Sequence, residues 1–325
     1  MKYKRVIISR TDGIGDVILT LPMLGYLKKL WPEIQILFLG KTYTKSIIES
    51  CTAVDEFVNW DLIKDKSTRE QISFFTQLDA AAIIHVFPTK QTTRIAKLAK
   101  VPIRVGTIGR LYNLANCNRL VRFTRKRSEL HEAQLNFKLL KGLGISFIPT
   151  LPELPEYYNL KTQNLPNALT SLIDKTKFNL VIHPKSKGSA VEWPESKYLE
   201  LIETLDENKF NILITGTKDE AELLTRLPSL KKQNAKPLFG LLKLEELIAL
   251  IRNADGVLAA STGPLHIGAA LGKKAIGLYA PQKPIHPGRW APVGSDAHFL
   301  VKNGKKNPIE SIHDIEVEEV LDKLN

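Results

Sequence analysis

Cysteine is scarce. Only Cys51 and Cys117 occur among 325 residues. That excludes a disulfide framework, and neither thiol has metal-ligand spacing to a partner. Long apolar runs are missing as well: none approaches the ~20 residues that cross a bilayer. The N-terminal MKYKRVIIS has charge but no apolar h-region, so no secretory signal is read there. There is no low-complexity tract, no repeat, and no carboxylate cluster suited to a divalent ion, so neither metal nor cofactor is expected. These shortages point to the cytoplasm, with any membrane contact confined to the protein surface.

Acid is also missing locally. Between Lys90 and Arg127 there are eleven basic residues and no Asp or Glu, against a net charge of +12 for the whole chain. Nearly all the excess charge therefore lies in one segment. It reads either as a solvated basic face or as a landing surface for a polyanion. Only Tyr112 and Phe123 supply aromatics in the segment, too few for a base-stacking platform. Anionic lipid head groups or a phosphorylated acceptor suit it better than nucleic acid.

What is present is ordinary in amount, with 43% hydrophobic residues, enough for two cores. Apolar β-rich runs fall at 4–9, 34–39, 81–86 and 102–105, and again at 178–182, 210–215, 256–260 and 274–279. Helical patterns lie between them. After the first run, Ile18, Leu21, Leu24, Leu27 and Leu30 form a helical stripe, with Pro22 a kink or a start. Residues 128–143 read as an amphipathic helix stopped by Gly144. Pro149, Pro152 and Pro155 then read as a linker. Helices are expected at 195–206, 218–226, 243–252 and 264–271. The result is two α/β domains with mainly parallel sheets, and a cleft between them as the default ligand site.

Two glycine turns carry the chemistry. The first, RTDGIGDVILTLP (10–22), has Gly13 and Gly15 but Ile18 where a dinucleotide fingerprint needs a third glycine. Asp16 opens the helix, where a pyrophosphate would be repelled. It is either a helix N-terminal acid favoured by the dipole or an ionised base whose pKa the dipole keeps from rising. The second turn, ASTGPLHIGAALG (260–272), has no acid. Ser261, Thr262 and Gly263 precede Pro264, a helix-opening residue, and the helix N-terminus offers an anion site. Gly268, Ala269 and Ala270 permit close packing on the sheet, and His266 sits in the first turn, either as packing or at the site. Lys185 and Lys187, in HPKSKGSAVEWPES, can supply charge to a leaving pyrophosphate. Asp219 and Glu220 are candidates for a ribose contact, or equally helix N-terminal charges.

Taken together, RTDGIGDVILTLP, HEAQLNFKLLKGLGI (131–145), KSKGSAVEWP (185–194), LFGLLKLEELIALIRNAD (238–255), ASTGPLHIGAALG and APQKPIHPGRWAPVG (280–294) resemble glycosyltransferase family 9. This is the family of the ADP-heptose:lipopolysaccharide heptosyltransferases. The resemblance implies a GT-B fold, two Rossmann-like domains facing a central cleft. It also implies inverting, metal-independent sugar transfer from a nucleotide-sugar such as ADP-heptose to a lipopolysaccharide core. Asp16 matches the family's general base. Thr262 and Gly263 match its pyrophosphate turn, and His266 its donor site. Two positions depart from the pattern: Ser261 where many members have Asp, and Val191 where many have Lys or Arg, with Lys185 or Lys187 as the replacement charge. On this reading residues 1–155 form the acceptor-side domain and 156–308 the donor domain. Residues 309–325 form a helix packing back on the first domain. Arg10, Arg94, Arg104, Arg110 and Arg122 are assigned to the anionic acceptor at the cytoplasmic membrane face. The rival readings are a GT-B nucleotide-sugar epimerase or hydrolase and, with less support, a nucleic-acid-binding protein.

Overall fold

A computed structural model describes residues 3–125, 128–161, 165–302 and 308–324. Lys126 and Arg127, the end of the basic run, lie outside them. The chain divides into two units, Met1–Lys161 and Thr162–Asn325.

The first unit is a six-stranded sheet of β1 (Arg5–Ser9), β2 (Gln35–Gly40), β3 (Glu56–Asn59), β4 (Ala82–His85), β5 (Ile103–Thr107) and β6 (Arg119–Val121). Every pairing is parallel and the order is β3-β2-β1-β4-β5-β6. The second unit repeats the plan with β7 (Phe178–His183), β8 (Phe210–Ile214), β9 (Ala235–Pro237), β10 (Gly256–Ala260), β11 (Lys274–Tyr279) and β12 (Ala297–Val301). Its order is β12-β11-β10-β7-β8-β9, again all parallel. Renumbered within its own unit, this is the same topology. Both are doubly wound Rossmann-like sheets, the building blocks of the GT-B class. In such a sheet the strand order reverses at one point, and ligands bind beyond the carboxyl ends of the two strands there. The reversal falls between β1 and β4 in the first unit and between β7 and β10 in the second.

The central strands are apolar throughout because helices cover both faces. Val6, Ile7 and Ile8 of β1 are fully buried, as are Val257, Leu258, Ala259 and Ala260 of β10. The helical stripe after β1 divides into two helices, Ile14–Ile18 and Leu21–Leu30. Pro22 sits at the start of the second, where its missing N–H costs nothing. Ile18, Leu21, Leu24 and Leu27 are buried, but Leu30, at the last turn, is exposed. The amphipathic segment is α-helical only over Glu132–Lys138 and tightens to a 3₁₀ turn over Leu139–Leu143. It stops at Gly144, whose φ of 89° is left-handed, as expected of a helix-ending glycine.

Two expectations are corrected. The proline-rich stretch is not a linker. Leu151–Tyr157 forms a capped 3₁₀ turn with Leu154 and Tyr157 buried. It packs so tightly on Leu21–Leu30 that a Cβ on Gly25 would fall 2.0 Å from the Tyr157 carbonyl oxygen. This turn keeps the chain in the first unit as far as Lys161, so the boundary lies six residues later than the 155/156 expected. The C-terminal segment, expected against the first unit, is built into the core of the second. Ile312, Ile315, Val317, Val320 and Leu324 join the core of the second, with Leu180, Ile182, Tyr198 and Ile276. The helix Val317–Leu324 has its apolar face satisfied there, and the Trp193 indole N–H donates to the Ile315 carbonyl at 3.0 Å.

Candidate active site

In the first unit the site grows from the end of β1. The Arg10 N–H continues the ladder to the Leu39 carbonyl, and its side chain then turns inward. It is 2% exposed, and its whole guanidinium is used. Nε and Nη2 donate to Asp12 at 2.8 and 3.1 Å. Nη1 donates to Glu132 at 3.2 Å, Asn136 at 3.1 Å and Thr20 at 3.3 Å, and Nη2 also donates to Asp16. Glu132 is fully buried and also accepts from Arg125 Nε at 2.9 Å. Arg125 Nη2 reaches the Val86 carbonyl beyond β4. Two guanidiniums thus meet three carboxylates at the switch point. The three carboxylates are drawn from 12–16 and from a helix more than a hundred residues later.

Asp16 lies in the first turn of its five-residue helix, whose N-cap is Gly13. The Thr20 hydroxyl donates to its backbone carbonyl at 2.9 Å, fixing the turn. Burial pushes the Asp16 carboxyl up to about 6, Arg10 opposes this, and the charges of Asp12 and Glu132 add to it. The expectation that the helix dipole would hold this pKa down is therefore corrected. Burial beside two like charges raises it instead. The result suits a base working near neutrality. Beneath the turn, Ser9 and His85 sit in register on β1 and β4, both fully buried. The hydroxyl of Ser9 and both ring nitrogens of His85 lack partners among the described residues. Burial drives His85 to about 3, so it is a neutral floor.

The basic residues fare unequally. Arg10 was assigned to the acceptor, but it is an interior brace with no donor left over. Arg104 is corrected likewise: it donates to the Asn116 and Val101 carbonyls and ties β5 to neighbouring turns. Arg94, Arg110 and Arg122 are exposed.

In the second unit the equivalent turn follows β10. Thr262 is the extended N-cap of the helix Gly263–Ala270, Pro264 is at its start, and its first turn has no acid. Gly268 allows the close approach: a Cβ there would stand 2.7 Å from Val257 Cγ2. Thr262 Oγ1 is buried without a partner among the described residues, and His266 is 3% exposed. The Tyr279 phenol is buried near Ser261, which eases the rise that burial gives its pKa, and it donates to the Trp290 carbonyl. Ser189 Oγ donates to the Ser261 carbonyl at 3.5 Å, so the loop after β7 touches this turn.

That loop separates its two lysines. Lys185 is paired with Glu192, which also accepts from the Ser186 N–H and hydroxyl at 2.7 Å each. Burial alone would raise the Glu192 carboxyl, but the hydrogen bonds from Lys185 and Ser186 hold it below its ordinary range. Lys187 is exposed, in a left-handed conformation with φ 50° before Gly188, and makes no ion pair among the described residues. It is the uncommitted cation. Val191 packs against the core, which is why no charge stands there. Glu220 is corrected from its ribose role. It is 3% exposed and accepts the Thr217 N–H at 2.7 Å as the cap of its own short helix. Asp219 is exposed. Sequence reasoning missed His183, at the end of β7, whose Nδ1 lies 3.0 Å from Thr215 Oγ1 and whose Nε2 lies 4.0 Å from Glu220. It also missed Glu132, Asn136 and Arg125. A charged Glu on the apolar face of 128–143 was the available signal for the first. Among the described residues no group of three or more His, Cys, Asp or Glu is arranged to hold a metal, and no helix is long and apolar enough to cross a membrane.

The sequence profile of glycosyltransferase family 9 (heptosyltransferase) matches residues 92–316. The chain belongs to glycosyltransferase family 9. A Haemophilus influenzae protein provisionally assigned as a glycosyltransferase is 25% identical over 94% of this chain and 91% of its own length. A solved family 9 glycosyltransferase from Veillonella parvula superposes with a TM-score of 0.80 at 18% identity, covering 100% of this chain and 97% of its own. The heptosyltransferase WaaC from E. coli, solved with ADP-2-deoxy-2-fluoro heptose, superposes with a TM-score of 0.69 at 21% identity, covering 98% of each. This family 9 member is thus heptosyltransferase-like in sequence and in fold.

Proposed function

We propose that this family 9 enzyme transfers a sugar, with inversion, from an ADP-sugar of the heptose type to the inner core of a lipopolysaccharide at the cytoplasmic membrane face. The observation that carries the reading is the contrast between its two switch-point turns. One holds a carboxylate tuned to about 6. The other is an acid-free helix N-terminus with a buried, unpartnered threonine hydroxyl. A base and a diphosphate want opposite environments, and each turn provides one of them.

The residues divide the work accordingly. The acceptor hydroxyl gives its proton to Asp16 Oδ as its oxygen bonds to the anomeric carbon. The bond to the diphosphate breaks on the opposite face, and the electron pair leaves with the nucleoside diphosphate. The backbone N–H groups at Gly263, the Thr262 hydroxyl and Lys187 receive the charge that develops on the leaving oxygen. Arg10 keeps Asp16 in place and Asp219 is left for the ribose. The exposed Arg94, Arg110 and Arg122 meet the phosphates of the acceptor. At Ser261 the donor sugar meets a neutral hydroxyl where many relatives offer an acid, so the sugar accepted is the point where this enzyme diverges.

The test is a thermal-shift screen of ADP, UDP and GDP, followed by product analysis with ADP-heptose and a deacylated core acceptor. ADP stabilisation and an acceptor-dependent α/β-inverted product are expected. Consumption of donor without acceptor would identify a hydrolase or epimerase instead.

A further inference from the structure

Two short helices of the first unit carry Arg94 and Arg110 beside exposed leucines for which sugar transfer itself gives no role. The helix Lys90–Leu98 lies beside Leu111–Asn116, with a groove of about 650 Å³ between them. Leu111 is 86% exposed, Leu114 50% and Leu98 42%. Leu111 and Leu114 stand three apart on one helix and so share a face. Leu98 and Leu111 line the groove and Leu114 is exposed on the same short helix as Leu111; a single exposed leucine needs no explanation, but such a cluster does. These leucines are not on a loose loop. The Tyr112 hydroxyl donates to the Pro88 carbonyl at 2.8 Å, Lys97 Nζ to the Ala115 carbonyl at 2.8 Å, and Asn113 Nδ2 to the Thr107 carbonyl at 2.9 Å. The short helix is fastened to its neighbours while its apolar residues face water.

The charge around the groove identifies its occupant. Lys90 and Arg94 line it, Arg110 precedes it, and none of the three makes an ion pair among the described residues. The segment carries no acid to oppose them. A nucleic acid would use the cations but not the leucines, and an apolar protein partner the leucines but not the cations. A membrane with anionic head groups uses both, because leucines enter the acyl boundary while lysines and arginines stay at phosphate level.

We propose that the surface around this groove is a docking site for an anionic phospholipid bilayer, entered by Leu111 and Leu114 and held by Lys90, Arg94 and Arg110. The inference rests on the reading of a lipid-borne acceptor, and it places the first unit against the membrane that carries that acceptor.

The experiment reads binding without any sugar transfer, so its failure and the failure of the activity assignment are separable. The full chain is sedimented with phosphatidylcholine vesicles, with and without phosphatidylglycerol. Binding is expected only to the anionic vesicles, falling with salt and by roughly fivefold for each cation removed, as in Arg94→Gln. Leu111→Glu with Leu114→Glu should lower it by about tenfold or more while ADP stabilisation and the unfolding midpoint stay unchanged. Equal binding by the double variant, absence of binding to anionic vesicles, or tighter retention on single-stranded RNA than on vesicles would each overturn the proposal.

Discussion

Replacing Glu132 by Gln tests the most specific feature of the first turn. Gln keeps the size and one acceptor oxygen but removes a negative charge held between Arg10 Nη1 at 3.2 Å and Arg125 Nε at 2.9 Å. Asp16 lies across the same Arg10 guanidinium. Charges roughly 6 Å apart interact by about 3 kcal/mol at an effective dielectric of about 20, and by under about 1 kcal/mol in bulk water. The Asp16 side chain is 26% exposed, so solvent takes part and a shift of about one pH unit is expected. The sign is fixed by electrostatics. Removing a like charge, and leaving Arg10 freer to favour the Asp16 anion, both lower its pKa from about 6 toward the ordinary carboxylate range. The acid limb of kcat/KM should therefore move to lower pH, raising activity at low pH relative to the plateau. The assay is ADP release against pH, supported by ¹³C NMR titration of the Asp16 carboxyl, which needs no substrate. Some thermal stability should be lost, because Arg125 loses its buried partner. A limb that stays put or moves upward would show that the carboxylate network does not tune Asp16.

Other perturbations separate the two turns. In the unmodified enzyme, activity should fall about tenfold for each pH unit below about 6, as a base that must be ionised requires; a flat profile through that range would argue against it. Gly13→Ala puts a Cβ 3.0 Å from Asp16 Oδ2, so turnover should drop while ADP binding, followed by calorimetry, is unaffected. Thr262→Val removes a buried hydroxyl with no partner among the described residues. The unfolding midpoint should hold or rise, while ADP affinity falls about tenfold, the worth of a hydrogen bond to a charged group. Lys187→Ala should weaken ADP binding more than Lys185→Ala does, since Lys185 is already paired with Glu192.

Eight of the twelve strands were legible as apolar runs, and the four that were not share a cause. β3, β6, β9 and β12 are the outermost strands of their sheets. Each is short or half exposed, with one residue buried or none. A strand covered on both faces writes a continuous hydrophobic run, and an edge strand does not. The positions of the two glycine turns were equally legible, because each directly follows a central strand. What the arginines do was not. Arg10 looks like a surface cation in RTDGIGD, and only the fold brings Glu132 and Asn136 to it. The long separation of those partners also hid Arg125, which read as one more member of a basic run. Of the two readings left open for Glu220, the helix-terminal one holds, because Thr217 and Glu220 form a capping box that in sequence also looks like an available acid. The proline-rich turn was read as a linker because proline density says nothing of the buried Leu154 and Tyr157.

The central claim is that the carboxylate in the first turn takes the acceptor proton while the second turn, with Lys187, holds the leaving diphosphate. The measurement that addresses it most directly is single-turnover transfer by Asp16→Asn, with ADP affinity determined on the same preparation. The account predicts turnover reduced by ~10²–10⁴-fold with ADP binding unchanged. Turnover near that of the unmodified enzyme would contradict it.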